Sequence, residues 1–171
     1  MSTSPIAWAP ISKQQAAFLS CPADEIFYGG SRGGGKTDAA LGCFGLKASQ
    51  YGKAVGIFFR SSREDLREAI ARSADIYGPL GAKYADRQWI FPSGARLRFE
   101  YLENVKDARN YQGHSYTDLF FEELTNWPNP EPINLLRATL RSASGIPVQF
   151  HATGNPGGPG HQWVKSRYID P

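Results

Sequence analysis

The stretch "YGGSRGGGKT", residues 28–37, contains five glycines and ends in a lysine and a threonine. Its residues 30–37 match the phosphate-loop pattern G-x-x-x-x-G-K-T. Glycines allow successive backbone N–H groups to turn towards an anion, and a helix that begins after them adds partial positive charge. The stretch therefore predicts a loop that binds a nucleoside triphosphate, with Lys36 on the β- and γ-phosphates and Thr37 on Mg²⁺.

The segments around this loop indicate an α/β fold. An apolar run, "EIFYGG", precedes the loop as a buried strand would, and residues 36–50 have the composition of a helix. Strands are also predicted within 54–60, 117–124 and 146–160, an antiparallel hairpin over 88–101, and helices over 11–20, 61–78 and 129–142. Because strands and helices alternate, we expect a mostly parallel central sheet flanked by helices, plus an antiparallel hairpin. This sheet together with the phosphate-loop pattern predicts a P-loop NTPase, which we expect to be of the ASCE type.

Length and composition fit one globular domain. The 171 residues are 41% hydrophobic and carry a net charge of +3, so a nucleic-acid partner is neither required nor excluded. The two cysteines and three histidines have no zinc-site spacing, and free thiols in a reducing compartment are expected. With no signal region and no long apolar run, the sequence predicts a cytosolic protein made of an arm, residues 1–10, and a core, residues 11–171.

A pair of acidic residues follows the third apolar run, in "LFFEE". Magnesium needs a hard oxygen ligand, and an attacking water needs a base. We therefore predict that Glu122 holds Mg²⁺ through a water and that Glu123 activates the nucleophilic water. A base at Glu123 favours hydrolysis over phosphoryl transfer, and the absence of an Asn-Lys-x-Asp element favours ATP over GTP.

Three motifs together resemble the ATPase domain of the large terminase subunit, the motor that packages double-stranded DNA into tailed-phage capsids. They are "SKQQAAFL" ahead of the first strand, "GGSRGGGKT" with its internal arginine, and "GNPGG" followed by "HQWVKSRYI". The resemblance runs from about Ile11 to the last residue. Members of this family usually carry Asp before the catalytic Glu, where this chain has Glu122, one methylene longer.

The resemblance implies a role for several residues. Gln14, with Gln15 as the neighbouring alternative, would contact adenine, and Arg32 would stabilise charge on the transferred phosphoryl group. The segment from Thr153 to Asn155 resembles the family's coupling motif, in which Asn155 senses the γ-phosphate; a simple turn is the alternative. The nucleotide-binding set is Gln14, Gly30, Ser31, Gly33, Gly34, Gly35, Lys36, Thr37 and Asn155. The catalytic set is Glu123, Arg32 and Lys36, and the metal set is Thr37 and Glu122.

The resemblance also implies partners and a place of action. It suggests a homo-oligomeric ring on the procapsid, working with the portal protein, the small terminase subunit and double-stranded DNA in the host cytoplasm, without a membrane. Full family members continue into a lid subdomain and a nuclease domain, so we expect this chain to be an ATPase core lacking the DNA-cutting site. Two alternatives remain: a P-loop kinase of a small molecule or nucleotide, and a nucleotide-binding adaptor with negligible turnover.

Several arginines have open roles. The set Arg60, Arg63, Arg67 and Arg72 could contact DNA phosphates, but acids are interleaved with them, which favours an ordinary solvated helix face. Arg96 and Arg98 of the hairpin present the same choice. Ring ATPases often use an arginine from the next subunit; Arg109 is a candidate for that role, and a local ion pair is the alternative.

Overall fold

In the computed structural model, which describes residues 8–33 and 35–170, a seven-stranded sheet lies between two layers of helices. The strands are β1 (Glu25–Gly29), β2 (Val55–Arg60), β3 (Lys83–Ala85), β4 (Gln88–Ile90), β5 (Arg96–Tyr101), β6 (Asp118–Phe121) and β7 (Gln149–Gly154). The helices are α1 (Lys13–Ser20), α2 (Lys36–Gln50), α3 (Arg63–Tyr77), α4 (Val105–Arg109), α5 (Glu131–Arg137) and α6 (His161–Tyr168). Two short 3₁₀ turns cover Gly78–Leu80 and Leu124–Asn126.

The strand order is β1-β7-β6-β2-β5-β4-β3. The first five strands in this order pair in parallel, and β4 pairs antiparallel with both β5 and β3. This sheet confirms the predicted α/β class with its antiparallel hairpin. Strand β7 lies between the strand that enters the glycine-rich loop and the strand that ends at the acidic pair, so all three deliver residues to one edge of the sheet.

The core follows the alternation of side chains along each strand. On β2, Phe58 packs on one face of the sheet, while Ile57 and Phe59 pack on the other. The first face is covered by α2 and α3 through Leu41, Phe44, Leu66, Ala69 and Ile76. The second is covered by α4, α5 and α6 through Ala108, Ile133, Leu136 and Val164. Burial on both faces explains why the parallel strands are continuous apolar runs.

The helix predicted over 129–142 is shorter in the structure, and the difference has a local cause. The helix ends at Arg137, after which the Thr139 carbonyl accepts a hydrogen bond from Tyr116 N at 2.9 Å. Leu140 then forms a parallel bridge with Tyr116 beside the sheet. Pairing with a distant segment therefore takes the chain out of the helix, and a local pattern does not show such pairing.

Residues 1–7 of the predicted arm lie outside the described residues, and the next three residues, Trp8, Ala9 and Pro10, form no regular element.

Among the described helices, none has the length and apolar character needed to cross a membrane.

Candidate functional site

A cavity of about 650 Å³ lies at the carboxyl edge of the sheet, where β1, β2, β6 and β7 end. It is lined by Arg32, Gly33, Gly35, Lys36, Thr37, Asp38, Arg60, Asp65, Glu68, Glu122, Glu123, Asn126 and Asn155. Ligands of open α/β sheets bind outside the carboxyl ends of the strands, next to a change in strand order. The glycine-rich loop, the acidic pair and Asn155 thus meet in one place, although more than 30 residues separate each from the next.

The glycine-rich loop wraps around the amine of Lys36. Lys36 Nζ donates to Ser31 O at 2.6 Å and to Gly30 O at 3.3 Å, and the side chain is buried. Gly35 has a φ of 69°, and a Cβ at this position would lie 2.3 Å from Gln15 Nε2. Glycine is favoured there, because the backbone is left-handed and a Cβ would displace the Gln15 amide. Gly34 lies outside the described residues.

The two glutamines of α1 have different surroundings. Gln15 is buried: its Nε2 donates to Gly35 O at 2.9 Å, and its Oε1 accepts from Ile11 N at 2.7 Å. Gln14 is exposed. Both line a second cavity of about 450 Å³ beside the loop, together with Tyr28 and Ser31. Gln15 therefore supports the loop, and the adenine contact predicted for Gln14 remains a prediction.

Glu122 lies at the end of β6 against the start of α2. It is 3% exposed, and its Oε1 accepts a hydrogen bond from the Thr37 hydroxyl. Burial raises the pKa of Glu122 to about 7, while the nearby charge of Arg60 acts in the opposite direction. Arg60 Nη1 lies 3.0 Å from Glu122 Oε2, yet Glu122 Oε2 has no hydrogen-bond partner among the described residues.

The Thr37 and Glu122 pair fits a magnesium ion. A hydroxyl and a carboxylate are oxygen ligands, and the carboxylate has one buried oxygen that no donor satisfies among the described residues. In residues 8–33 and 35–170, no cluster of three or more His, Cys, Asp or Glu side chains could hold a metal ion by itself. Such a set suits Mg²⁺, which usually takes one or two protein ligands and completes its shell with water and substrate phosphates.

Glu123 is held by residues 153–155, at the end of β7 and directly after it. Its φ is 58°, a left-handed conformation that few residues other than glycine adopt. Asn155 Nδ2 donates to both carboxylate oxygens at 3.0 Å, and Thr153 Oγ1 accepts from Glu123 N at 3.4 Å. Asn155 Oδ1 is buried without a hydrogen-bond partner among the described residues. The amide group thus orients the carboxylate and keeps one acceptor free.

The 3₁₀ turn after Glu123 also contacts the segment that leads to α6. Thr125 Oγ1 donates to Asn155 O at 3.3 Å, and Thr125 O accepts from Gly160 N at 2.7 Å. Trp163 Nε1 donates to Trp127 O at 2.7 Å. Glu123, Asn155, Thr125 and the start of α6 are therefore joined by a continuous set of hydrogen bonds.

Gly160 is expected to be intolerant of a side chain. A Cβ there would lie 2.1 Å from Trp127 O, so Gly160→Ala must displace backbone. We expect Gly160→Ala to lower the free energy of unfolding by about 1–3 kcal/mol, as overpacking does. Urea unfolding measures this, with Gly78→Ala as the control, because a Cβ at Gly78 meets nothing within 4 Å and its φ is −55°. Equal effects of the two substitutions would contradict the prediction.

Three of the four arginines considered for DNA contact have partners within the chain. Arg63 Nη2 donates to the Tyr101 hydroxyl at 2.7 Å, and Arg72 makes a bidentate pair with Asp38, at 2.7 and 2.8 Å. Arg60 points into the cavity instead of lying on the α3 face. Arg67 is exposed. The solvated helix face favoured for this set does not describe Arg60, because the end of β2 directs its side chain at Glu122. The DNA contacts considered for the four arginines stay predictions.

The remaining arginines divide between the cavity and the surface. Arg32 lines the cavity. Arg109, on α4, is exposed and does not line it, and Arg98 pairs with Glu100 at 2.9 Å. Sequence reasoning missed Arg60 as a site residue, although it ends a predicted strand and so had to reach the edge where ligands bind.

Similarity to known proteins extends over most of the chain. A model of the family described as "Terminase large subunit, T4likevirus-type, N-terminal" matches residues 27–163. Among curated protein sequences, no significant match was found. The large terminase of a thermophilic bacteriophage superposes with a TM-score of 0.77 at 20% identity, covering 95% of this chain and 43% of that one. The structure of the same protein in complex with ADP has a TM-score of 0.75 at 20% identity and covers 94% of this chain and 42% of that one.

A shorter structure matches over most of both chains. The N-terminal domain of the DNA packaging ATPase of bacteriophage phi29 has a TM-score of 0.62 at 15% identity and covers 88% of this chain and 84% of that one. At such identities these superpositions establish the fold. The chain spans less than half of the length of the thermophilic phage terminase.

Proposed function

Since the chain belongs to the family of the N-terminal part of T4likevirus-type large terminase subunits, we propose that it hydrolyses ATP to drive double-stranded viral DNA into a procapsid. The observation that carries this proposal is the meeting of three elements in one cavity: the loop that encloses Lys36, the Thr37 and Glu122 pair, and Glu123 held by Asn155. Related support comes from the thermophilic phage terminase, whose structure was determined with ADP and with ATP-γ-S.

The loop would bind the phosphates of ATP. In the structure the Lys36 amine donates to loop carbonyls, and phosphate oxygens are stronger, charged acceptors for the same donor. Thr37 and Glu122 would hold Mg²⁺, which when bound neutralises charge on the β- and γ-phosphates. The cavity therefore provides positive charge at the loop and oxygen ligands directly beside it.

Glu123 would act on the attacking water. Asn155 orients its carboxylate, which takes a proton from the water as the water oxygen attacks the γ-phosphorus; the bond to the bridging oxygen breaks and ADP leaves. A base fixed in this way favours hydrolysis over a kinase reaction, in which a substrate hydroxyl takes the place of water. Loss of the γ-phosphate would change the hydrogen bonding of Asn155, and this change would be transmitted through Thr125 and Gly160 to α6.

The proposed partners follow from the family. A motor of this kind acts on double-stranded DNA at the portal protein of a procapsid, as a homo-oligomeric ring, with the small terminase subunit and in the host cytoplasm. The phi29 packaging motor assembly matches this chain with a TM-score of 0.58 at 15% identity. The proposed action of Arg109 on a neighbouring subunit fits its exposed position outside the cavity.

Arg32 provides a test of the hydrolytic function. It lines the cavity from the loop, and its proposed role is to stabilise charge in the transition state rather than to bind ATP. We expect Arg32→Ala to keep the affinity for ATP within about threefold and to lower the hydrolysis rate about 10²- to 10³-fold, as loss of a transition-state donor does. Nucleotide titration and ADP formation measure the two quantities. A loss of affinity with hydrolysis preserved would make Arg32 a phosphate clamp.

A further inference from the structure

Arg60 occupies an unusual position for a charged residue. It is the last residue of β2, its side chain is 12% exposed, and it lines the same cavity as Lys36 and Thr37. Strand β2 pairs with β6, which brings Arg60 beside Glu122, 62 positions away in sequence. The fold therefore places a nearly buried guanidinium at the part of the cavity where the phosphates are proposed to bind.

The partners of Arg60 leave its hydrogen-bonding capacity unused. Nη1 lies 3.0 Å from Glu122 Oε2, but that oxygen accepts no aligned hydrogen bond from the described residues, and Nη2 lies 3.9 Å from Asp65 Oδ1. Nε is buried without a hydrogen-bond partner among the described residues. A guanidinium has five N–H donors in a planar fork, and buried donors without acceptors are unfavourable. Arg60 thus has ion-pair partners but no aligned hydrogen-bond acceptor among the described residues, at the point where the cavity would receive a polyanion.

A purely structural role for Arg60 accounts less well for this geometry. Arg72 shows what a structural pair looks like in this protein: two short, aligned contacts with the carboxylate of Asp38. Arg60 makes no such bidentate contact with Glu122. Arginine is suited to planar, bidentate recognition of phosphate, for which a point charge is a poorer substitute.

We propose that Arg60 is a phosphate-binding residue of this site, whose guanidinium moves from Glu122 to the terminal phosphate of a bound nucleoside triphosphate. The terminal phosphate is the appropriate partner because Arg60 lies beside the acidic pair, whereas Lys36 lies within the loop. The move would take the positive charge of Arg60 away from Glu122 Oε2, the oxygen that accepts no hydrogen bond among the described residues. This assignment rests on the proposed function, since it requires that a triphosphate binds in the cavity.

Affinities for two nucleotides test the proposal. Isothermal titration calorimetry of Arg60→Gln with Mg²⁺ and either a non-hydrolysable ATP analogue or ADP should show a selective defect. We expect affinity for the analogue to fall about 10- to 100-fold, the usual effect of losing a charge-assisted hydrogen bond, and affinity for ADP to change less than about threefold. Equal losses for both nucleotides, or no loss for either, would overturn the assignment.

Two further variants separate binding from folding. Arg60→Lys keeps the positive charge beside Glu122 but removes the planar guanidinium. It should lower the affinity for the ATP analogue, leave the affinity for ADP unchanged and leave the melting temperature unchanged. Wild-type affinity for the analogue in this variant would also overturn the proposal. Arg67→Gln removes the same charge from an exposed position outside the cavity and should bind both nucleotides as the wild type does. A wild-type chain that bound neither nucleotide would instead contradict the proposed function, and this assignment with it.

Discussion

Replacing Lys36 with alanine should abolish measurable nucleotide binding. The Lys36 amine is the cation enclosed by the loop, with contacts of 2.6 and 3.3 Å to two loop carbonyls. Without it the loop presents carbonyl oxygens, which repel phosphate, and loses the hydrogen bonds that hold its shape. We expect affinity for both ATP and ADP to fall by at least about 100-fold, the effect of removing a charged donor together with its preorganising contacts.

Calorimetric titration with either nucleotide measures the effect of Lys36→Ala. Lys53→Ala is the matched control, because Lys53 is exposed and does not line the cavity, so its removal changes the net charge equally. Both variants should remain folded, because the contacts that Lys36→Ala removes are confined to the loop. Lys36→Ala binding nucleotide as tightly as Lys53→Ala would place the phosphates somewhere other than this loop.

Much of the site followed from the sequence because its residues stand at strand ends. The residues 30–37 and the pair Glu122 and Glu123 each follow an apolar run, and parallel strands bring their carboxyl ends to one edge. The sheet class and the hairpin followed in the same way from alternation and turn residues. Local sequence patterns were sufficient to predict the position of a residue where that position depends on a single strand or helix.

Contacts between distant elements could not be predicted. Arg60 meets Glu122 only because β2 pairs with β6, and Asn155 reaches Glu123 only because β7 lies beside β6. The rotation of α1, which buries Gln15 and exposes Gln14, depends on how the helix packs against the loop. The early end of α5 has the same origin, since Leu140 pairs with Tyr116. Each of these features depends on tertiary contacts, which a local sequence pattern does not contain, and at α5 such contacts override a local helix preference.

Replacing Glu123 with glutamine should separate binding from hydrolysis. Glutamine has the same size, and its remaining oxygen can still accept a hydrogen bond from Asn155 Nδ2. The fold and the affinity for ATP should therefore be retained, the affinity within about threefold. An amide cannot take a proton from water, so hydrolysis should fall about 10²- to 10⁴-fold.

The control for Glu123→Gln is Glu64→Gln. Glu64 is an exposed acid in the first turn of α3 that does not line the cavity, so its neutralisation should leave both binding and hydrolysis unchanged. Titration with ATP and Mg²⁺ at low temperature compares the affinities of the two variants.

Single-turnover cleavage of ATP, with protein in excess over nucleotide, tests the central claim most directly. It counts one chemical event at the site, so it does not depend on product release or on repeated cycles. The wild-type chain should convert bound ATP to ADP, while Glu123→Gln should hold ATP intact over the same time. ADP formation at equal rates in the two proteins would show that Glu123 is not the base and would contradict the proposed hydrolytic site.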